Sequence, residues 1–158
     1  MKIVECIPNV SEGRDLEKIK AITEEAKNTP GAYLLDVYSG ASTNRSVLTL
    51  AGEPGAIKEA IFRIYKKTSE IIDMSKHEGI HPRIGALDVC PFIPVSNITM
   101  KECIDIAIEL AKKVAGELGI PVYLYGESAR EEKRKDLANI RKGGYEGLKE
   151  KIKNPEWK

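Results

Sequence analysis

The two histidines of this chain lie in one short segment that also carries glycine, proline and arginine. The segment reads Lys76-His77-Glu78-Gly79-Ile80-His81-Pro82-Arg83. It contains the pattern His-Glu-x-x-His, in which zinc proteases place two metal-binding imidazoles on one face of a helix. Gly79 weakens a helix by about 1 kcal/mol relative to alanine, and Pro82 disfavours helical backbone at His81. We therefore expect a non-helical loop at this segment and no metal site.

His81 is the candidate general base, because imidazole gains and loses a proton near neutral pH. The alternative is a loop histidine whose ring is bonded to a backbone carbonyl. His77 is the weaker candidate, since its charged neighbours suggest an exposed face. Arg45 and Arg83 are candidate carboxylate ligands, because a guanidinium can bind a carboxylate through two parallel hydrogen bonds. Each arginine could instead be solvated or paired with an acid of the chain, for which the candidates are Asp36, Asp73 and Asp88.

Polar and turn-forming residues gather in three connections of the chain, which are 9–14, 39–45 and 76–85. The first two follow predicted strands and the third precedes one, so all three could meet at one rim of a sheet. The alternative is that each loop is polar because it faces water. If the loops meet, we expect His81 at the rim of a shared cleft and Arg83 pointing into it.

The elements that position these loops follow from hydrophobic periodicity and from helix and strand end signals. We predict strands near residues 2–8, 32–38, 45–51, 86–94 and 121–125. We predict helices near 15–28, 54–72 and 99–118, and helical fragments near 130–141 and 145–153. The first six elements have the order β-α-β-β-α-β, which predicts a ferredoxin-like α+β sandwich. In this fold a mostly antiparallel sheet has its helices on one face. Pro91 and Pro94 place the far end of the fourth strand at a sheet edge.

Composition limits the class of protein further. The 158 residues predict a single domain, 1–158, with room for a hydrophobic core. A net charge of +1 provides no basic field for nucleic acid or an anionic membrane, and no apolar stretch reaches the roughly 18 residues of a membrane helix. Cys6, Cys90 and Cys103 match no zinc or disulfide framework. We expect them to be buried thiols in a reducing compartment. The chain opens without a signal peptide, and we therefore expect a cytoplasmic protein.

Several segments match one enzyme family in register. They are residues 4–13, 35–37, 42–45, 72–94, 121–126 and 155–157. In these segments the chain resembles the N-terminal subdomain of glutamate formiminotransferase. The resemblance implies a transferase of histidine degradation that moves the formimino group of N-formimino-L-glutamate to N5 of its co-substrate, tetrahydrofolate.

The resemblance also implies roles for individual residues. The catalytic histidine of the family corresponds to His81. The side chains expected to contact substrate or folate are Asn9, Ser11, Tyr38, Asn44, Arg45 and Arg83. Close relatives carry an acidic residue where this chain has Tyr38, and such a carboxylate could stabilise the cationic formimino carbon.

The family enzyme has two subdomains with the folate site between them, and this chain corresponds to the first alone. The resemblance therefore implies a second subdomain or subunit as a partner, and a homodimer. The alternatives to an enzyme are a non-catalytic module that binds folate or regulates a partner, and a structural half that only dimerises.

Overall fold

Six strands form one antiparallel sheet in the computed structural model, which describes residues 1–158. The strands are β1 (Ile3–Cys6), β2 (Asn9–Val10), β3 (Ala32–Gly40), β4 (Arg45–Gly52), β5 (Leu87–Val89) and β6 (Phe92–Ser96). Strand β4 pairs with β3 along one side and with β1 and β2 along the other. Strand β6 pairs with β1, and β5 pairs with β2. The predicted α+β class and antiparallel sheet are confirmed.

Two predicted strands are each interrupted at a proline. The strand predicted at 2–8 ends at Cys6, and residues 9 and 10, predicted as loop, form β2 after Pro8. The strand predicted at 86–94 is divided into β5 and β6 around Cys90 and Pro91. Proline has no N–H to donate to a neighbouring strand, so the hydrogen-bonded ladder breaks where it occurs. The boundary predictions missed these breaks, whereas the edge position predicted for Pro91 and Pro94 agrees with the pairing of β6 with β1 alone.

The strand predicted at 121–125 is wrong. These residues pair with no strand, although Val122 packs against the hydrophobic core. An alternation of apolar and polar residues indicates which side chains are buried. It does not indicate whether a neighbouring strand is available for hydrogen bonding, which a strand requires. The segment is therefore held by its side chains.

Three long helices cover the sheet, and their ends agree with the sequence signals. They are α1 (Leu16–Lys27), α2 (Pro54–Ile71) and α3 (Met100–Lys113), and α3 continues as a π-helical turn to Leu118. Asp15 caps α1 through the N–H groups of Glu17 and Lys18. Thr99 and Glu102 form a capping box at α3. Two short helices follow, α4 (Leu137–Arg141) and α5 (Gly144–Lys151). No helix is both long enough and apolar enough to cross a membrane.

The core lies between one face of the sheet and the apolar faces of these helices. Strand β4 alternates as predicted, with Leu48 and Leu50 fully buried against Ile57 and Ile61 of α2. The opposite face of the sheet is open, and on it Tyr33, Tyr38 and Ile93 are exposed. This face is called the open face below. The topology leaves the three polar loops at the strand ends, where they can meet.

Candidate functional site

Asn44 joins the three polar loops, which converge as the sequence predicts. Its side-chain oxygen accepts a hydrogen bond from the N–H of Gly13 at 2.9 Å, and its amide nitrogen donates to the carbonyl of Glu78 at 2.9 Å. Its backbone carbonyl lies 2.9 Å from Nε2 of His77. Asn44 is buried and has a positive φ of 47°, a conformation that asparagine tolerates better than most residues. The candidate site is therefore built around one residue of the middle loop.

The loops also approach each other backbone to backbone at two glycines. A Cβ on Gly79 would lie 2.3 Å from the carbonyl oxygen of Thr43, and a Cβ on Gly13 would lie 2.4 Å from that of Gly40. Only glycine fits such an approach without displacing the neighbouring chain. Gly79 therefore has a packing role in addition to the helix-breaking role that the sequence indicates.

His81 is held in one orientation by a carbonyl and an arginine. Its Nδ1 lies 2.7 Å from the carbonyl oxygen of Pro82, to which it donates. Nη1 of Arg45 lies 2.7 Å from Nε2 of His81 and 3.3 Å from Nδ1, so Nε2 accepts the shorter bond. The tautomer with hydrogen on Nδ1 satisfies both bonds. The hydrogen bond to a backbone carbonyl that is expected of an ordinary loop histidine is thus present, at Nδ1. Nε2 remains without a hydrogen and faces Arg45.

His77 is half-buried and fully bonded, so the expectation of an exposed face is wrong. Its Nε2–H donates to Asn44, as described above, and its Nδ1 accepts a bond of 2.9 Å from Nε of Arg83. The sequence around His77 is charged, but both ring nitrogens of His77 are hydrogen-bonded within the protein. No group of three histidine, cysteine or acidic side chains is arranged to hold a metal ion.

Arg83 is buried and engaged by protein partners. Its Nη1 and Nη2 donate to the two carboxylate oxygens of Glu146 on α5, at 2.9 and 2.6 Å. Nη2 also donates to the carbonyl of His77 at 3.0 Å. The partner is none of the three aspartates that the sequence suggests, and Asp88 pairs with Arg141 instead. Substrate binding by Arg83 stays a prediction, and it would require Glu146 to be displaced.

The other predicted ligands differ in their access to the site. Ser11 is buried, and its hydroxyl donates to the carbonyl of Gly85 at 2.7 Å, which ties the first loop to the third. Asn9 lies in β2 between β4 and β5. Tyr38 is exposed on the open face, opposite Val47 in the β3–β4 pair. The structure thus brings Ser11 to the loop junction and leaves Tyr38 on the adjoining sheet surface.

Sequence reasoning missed two acids that organise the site. The Glu12 carboxylate is largely buried and accepts bonds of 2.9 Å from the N–H groups of Arg14 and Asp15, which shapes the first loop. An acid just before a helix cap is a signal that could have identified it. Glu146 lies 63 positions from Arg83, and no local pattern indicates that pairing.

The bond to Arg83 holds the pKa of Glu146 down to about 2. This value is below the roughly 4.3 of an unfolded glutamate. The pair therefore stabilises the folded chain above about pH 4.3, and its contribution is lost as the pH falls towards 2. We expect Glu146→Gln to lower the free energy of unfolding at pH 7. The difference from the unchanged protein should vanish near pH 2 in urea titrations.

The expected difference is small because the Glu146 side chain is 68% exposed and solvent screens the pair, which limits it to about 1 kcal/mol. Glu132→Gln is the control, since it removes an exposed pair with Lys135 that does not contact the three loops. A difference for Glu146→Gln that persists unchanged at pH 2 would contradict the assignment.

Comparison with known proteins assigns the chain to a family. The family model described as formiminotransferase domain, N-terminal subdomain, matches residues 3–158. The α+β fold and the histidine loop thus occur in a chain that belongs to the formiminotransferase family and corresponds to its N-terminal subdomain.

Relatives from bacteria, archaea and animals carry names consistent with this family. A glutamate formimidoyltransferase of Streptococcus pyogenes serotype M1 is 51% identical over 156 residues, which are 99% of this chain and 52% of the relative. One from Thermoplasma acidophilum is 45% identical over 160 residues, covering 100% of this chain and 53% of the relative. A formimidoyltransferase-cyclodeaminase of Gallus gallus is 53% identical over 156 residues, which are 99% of this chain and 29% of the relative. This chain therefore spans about half, or less, of the length of these relatives.

Proposed function

We propose that this chain is the N-terminal half of a glutamate formimidoyltransferase, an enzyme of histidine degradation. The reaction moves the formimino group of N-formimino-L-glutamate to N5 of tetrahydrofolate. The family match and the names of the relatives support this proposal. The observation that carries it is the 2.7 Å contact between Arg45 and His81, which combines a carboxylate ligand with a proton acceptor on loops fixed by Asn44.

His81 acts as the general base in this proposal. N5 of tetrahydrofolate attacks the formimino carbon, and Nε2 of His81 takes the N5 proton as the tetrahedral intermediate forms. The same proton is then delivered to the nitrogen of the departing glutamate. The Nδ1–H bond to the carbonyl of Pro82 keeps the ring oriented through both transfers and stabilises the positive charge that the ring acquires between them.

Arg45 binds a carboxylate of formiminoglutamate and thereby uncovers the base. In the free chain Nη1 of Arg45 is bonded to Nε2 of His81, which occupies the lone pair that a base needs. A bond from guanidinium to carboxylate is stronger than one to a neutral nitrogen. A substrate carboxylate therefore draws Arg45 away from the imidazole, and the base becomes free only when substrate is present.

Arg45→Ala should raise the KM for formiminoglutamate by about 10–100-fold, because a hydrogen bond to a charged group contributes about 1.5–3 kcal/mol. The effect on kcat should be smaller. Steady-state kinetics with each substrate varied in turn would measure both. Arg63→Ala is the control, since Arg63 lies on α2 and pairs with Glu59 at the surface. A fall in kcat with an unchanged KM would contradict substrate binding by Arg45.

The open face is proposed as the surface that meets a second subdomain or subunit. Its exposed Tyr33 and Ile93 are apolar groups that such a partner would cover, and Tyr38 would then lie between the two halves.

We also propose that the whole of 1–158 is one ferredoxin-like subdomain. If β1 and β2 are counted as one interrupted strand, and β5 and β6 as another, the sheet has four strands. Their order across the sheet is β3, β4, β1/β2 and β5/β6. This order supports the proposal.

The test of the proposed function is turnover. The chain is mixed with tetrahydrofolate and formiminoglutamate, alone and together with the C-terminal portion of the Streptococcus pyogenes relative, and the 5-formimino product is followed by absorbance. We expect turnover when both halves are present. Folate binding without turnover in either mixture would favour the non-catalytic module instead. Absence of both binding and turnover would contradict the proposal.

A further inference from the structure

Two of the three cysteines are in direct contact. The sulfur atoms of Cys6 and Cys90 lie 3.4 Å apart, and both thiols are free. Cys6 belongs to β1 and is completely buried, whereas Cys90 lies in the link between β5 and β6 and is half-buried. The sequence indicates buried thiols whose spacing matches no disulfide framework. The pairing of β1 with β6 brings these two together.

The backbone around this pair is already held in register. Cys6 is directly opposite Phe92 in the β1–β6 pair, and the N–H of Ile7 donates to the carbonyl of Pro91 at 3.3 Å. A disulfide has an S–S distance of about 2.05 Å, so the two sulfur atoms, now 3.4 Å apart, must approach each other by about 1.4 Å to form one.

Cys90 is the thiol that a small reagent reaches first. It lines an apolar cavity of about 520 Å³ between α2, α3 and the segment that follows Gly119. It also lines a smaller cavity of about 170 Å³, which Cys103 borders as well. Cys6 lines neither cavity. The two sulfur atoms therefore differ in access, with one open to small molecules and the other behind it.

We propose that Cys6 and Cys90 form a dithiol site that low-molecular-weight disulfides oxidise to an intrachain disulfide. The thiolate of Cys90 attacks one sulfur of the reagent and releases the first reagent thiolate, which takes up a proton. The Cys6 sulfur then attacks the Cys90 sulfur of this mixed disulfide, and the Cys6 proton passes to the second reagent thiolate as it leaves. The protein loses two electrons and two protons, and the reagent disulfide becomes two thiols.

The order of the two steps follows from the surroundings of Cys6. Burial, together with the hydrogen bond to Cys90, raises the pKa of the Cys6 thiol, so Cys6 does not initiate the exchange. It reacts only after the mixed disulfide has formed beside it, where the high local concentration compensates for a low thiolate fraction.

The disulfide would cross-link β1 to the segment between β5 and β6. Because the cross-link closes a long loop between residues 6 and 90, it restricts the unfolded chain strongly. We expect the midpoint of thermal unfolding to rise by about 5–15 °C on oxidation. The rise should reverse when the disulfide is reduced.

The test is incubation of the 158-residue chain with oxidised glutathione, followed by intact mass, thiol titration after denaturation and peptide mapping. We expect a loss of two hydrogen atoms and a fall in free thiols from three to one. The peptides that carry Cys6 and Cys90 should be linked, and dithiothreitol should separate them. Cys103→Ala is the matched control and should still form the disulfide.

Two variants separate the steps. Cys6→Ala should stop at a stable glutathione adduct on Cys90, and Cys90→Ala should form neither the adduct nor the disulfide. Retention of all three thiols in the unchanged chain, a stable adduct in place of the disulfide, or a bond to Cys103 would each overturn the proposal. If Cys6→Ala fails to fold, the linked peptides of the unchanged chain and the result for Cys90→Ala still decide it.

Discussion

Replacing His81 with alanine should lower kcat of the assembled enzyme by about 10²–10⁴-fold, the usual contribution of a positioned base. The affinity for tetrahydrofolate should change far less. In the proposed mechanism Nε2 handles a proton that moves only as the formimino carbon is attacked, so the imidazole would act on the transition state and not on the bound ground state. Steady-state kinetics and an equilibrium folate titration of the same variant would separate the two effects.

The other histidine provides the control for this experiment. His77→Gln removes a ring whose bonds join Arg83 to Asn44, so it should reduce stability more than it reduces kcat in the fraction that remains folded. If His81→Ala weakened folate binding and left kcat unchanged, His81 would be a ligand of folate and the assignment of the base would fail.

Replacing Gly79 with alanine should disrupt the whole site through the backbone. The added Cβ would lie 2.3 Å from the carbonyl oxygen of Thr43, so the two loops would have to move apart, which opposes the bond from Asn44 to the carbonyl of Glu78. Overpacking of this kind typically destabilises by about 1–3 kcal/mol. We expect a lower urea midpoint, and a fall in kcat/KM at temperatures where the variant is still folded.

Gly55→Ala is the matched control, because a Cβ at that position meets no atom within 4 Å. Gly55 lies in the first turn of α2, and alanine there should be neutral or stabilising by up to about 1 kcal/mol. Equal effects of the two substitutions would show that the loop contact at Gly79 does not determine stability.

Local signals in the sequence were sufficient for most elements, and they left the meeting of the loops as one of two alternatives. Asp15, Thr99 and Glu102 mark helix starts where the structure has them, because a cap needs only nearby residues. The non-helical histidine loop follows from Gly79 and Pro82 for the same reason. The convergence of the loops follows from the strand order, in which β1, β2 and β4 are neighbours.

Features that depend on distant contacts could not be read from local patterns. The strand expected at 121–125 lacks a partner strand, and the alternation of its residues says nothing about one. The pairing of Arg83 with Glu146 and the contact of Cys6 with Cys90 each join segments more than sixty positions apart. Only the folded topology brings such residues together. A single sequence therefore indicates which residues could form a contact, but not which residue each one pairs with.

The outer strand β6 has a consequence for behaviour at high concentration. A strand at the edge of a sheet can recruit the same strand of another molecule, which is a common start of aggregation. Pro91 precedes β6 and Pro94 lies within it, and neither offers an N–H to an incoming chain. Pro91 and Pro94 therefore also make the β6 edge a poor template for an incoming strand.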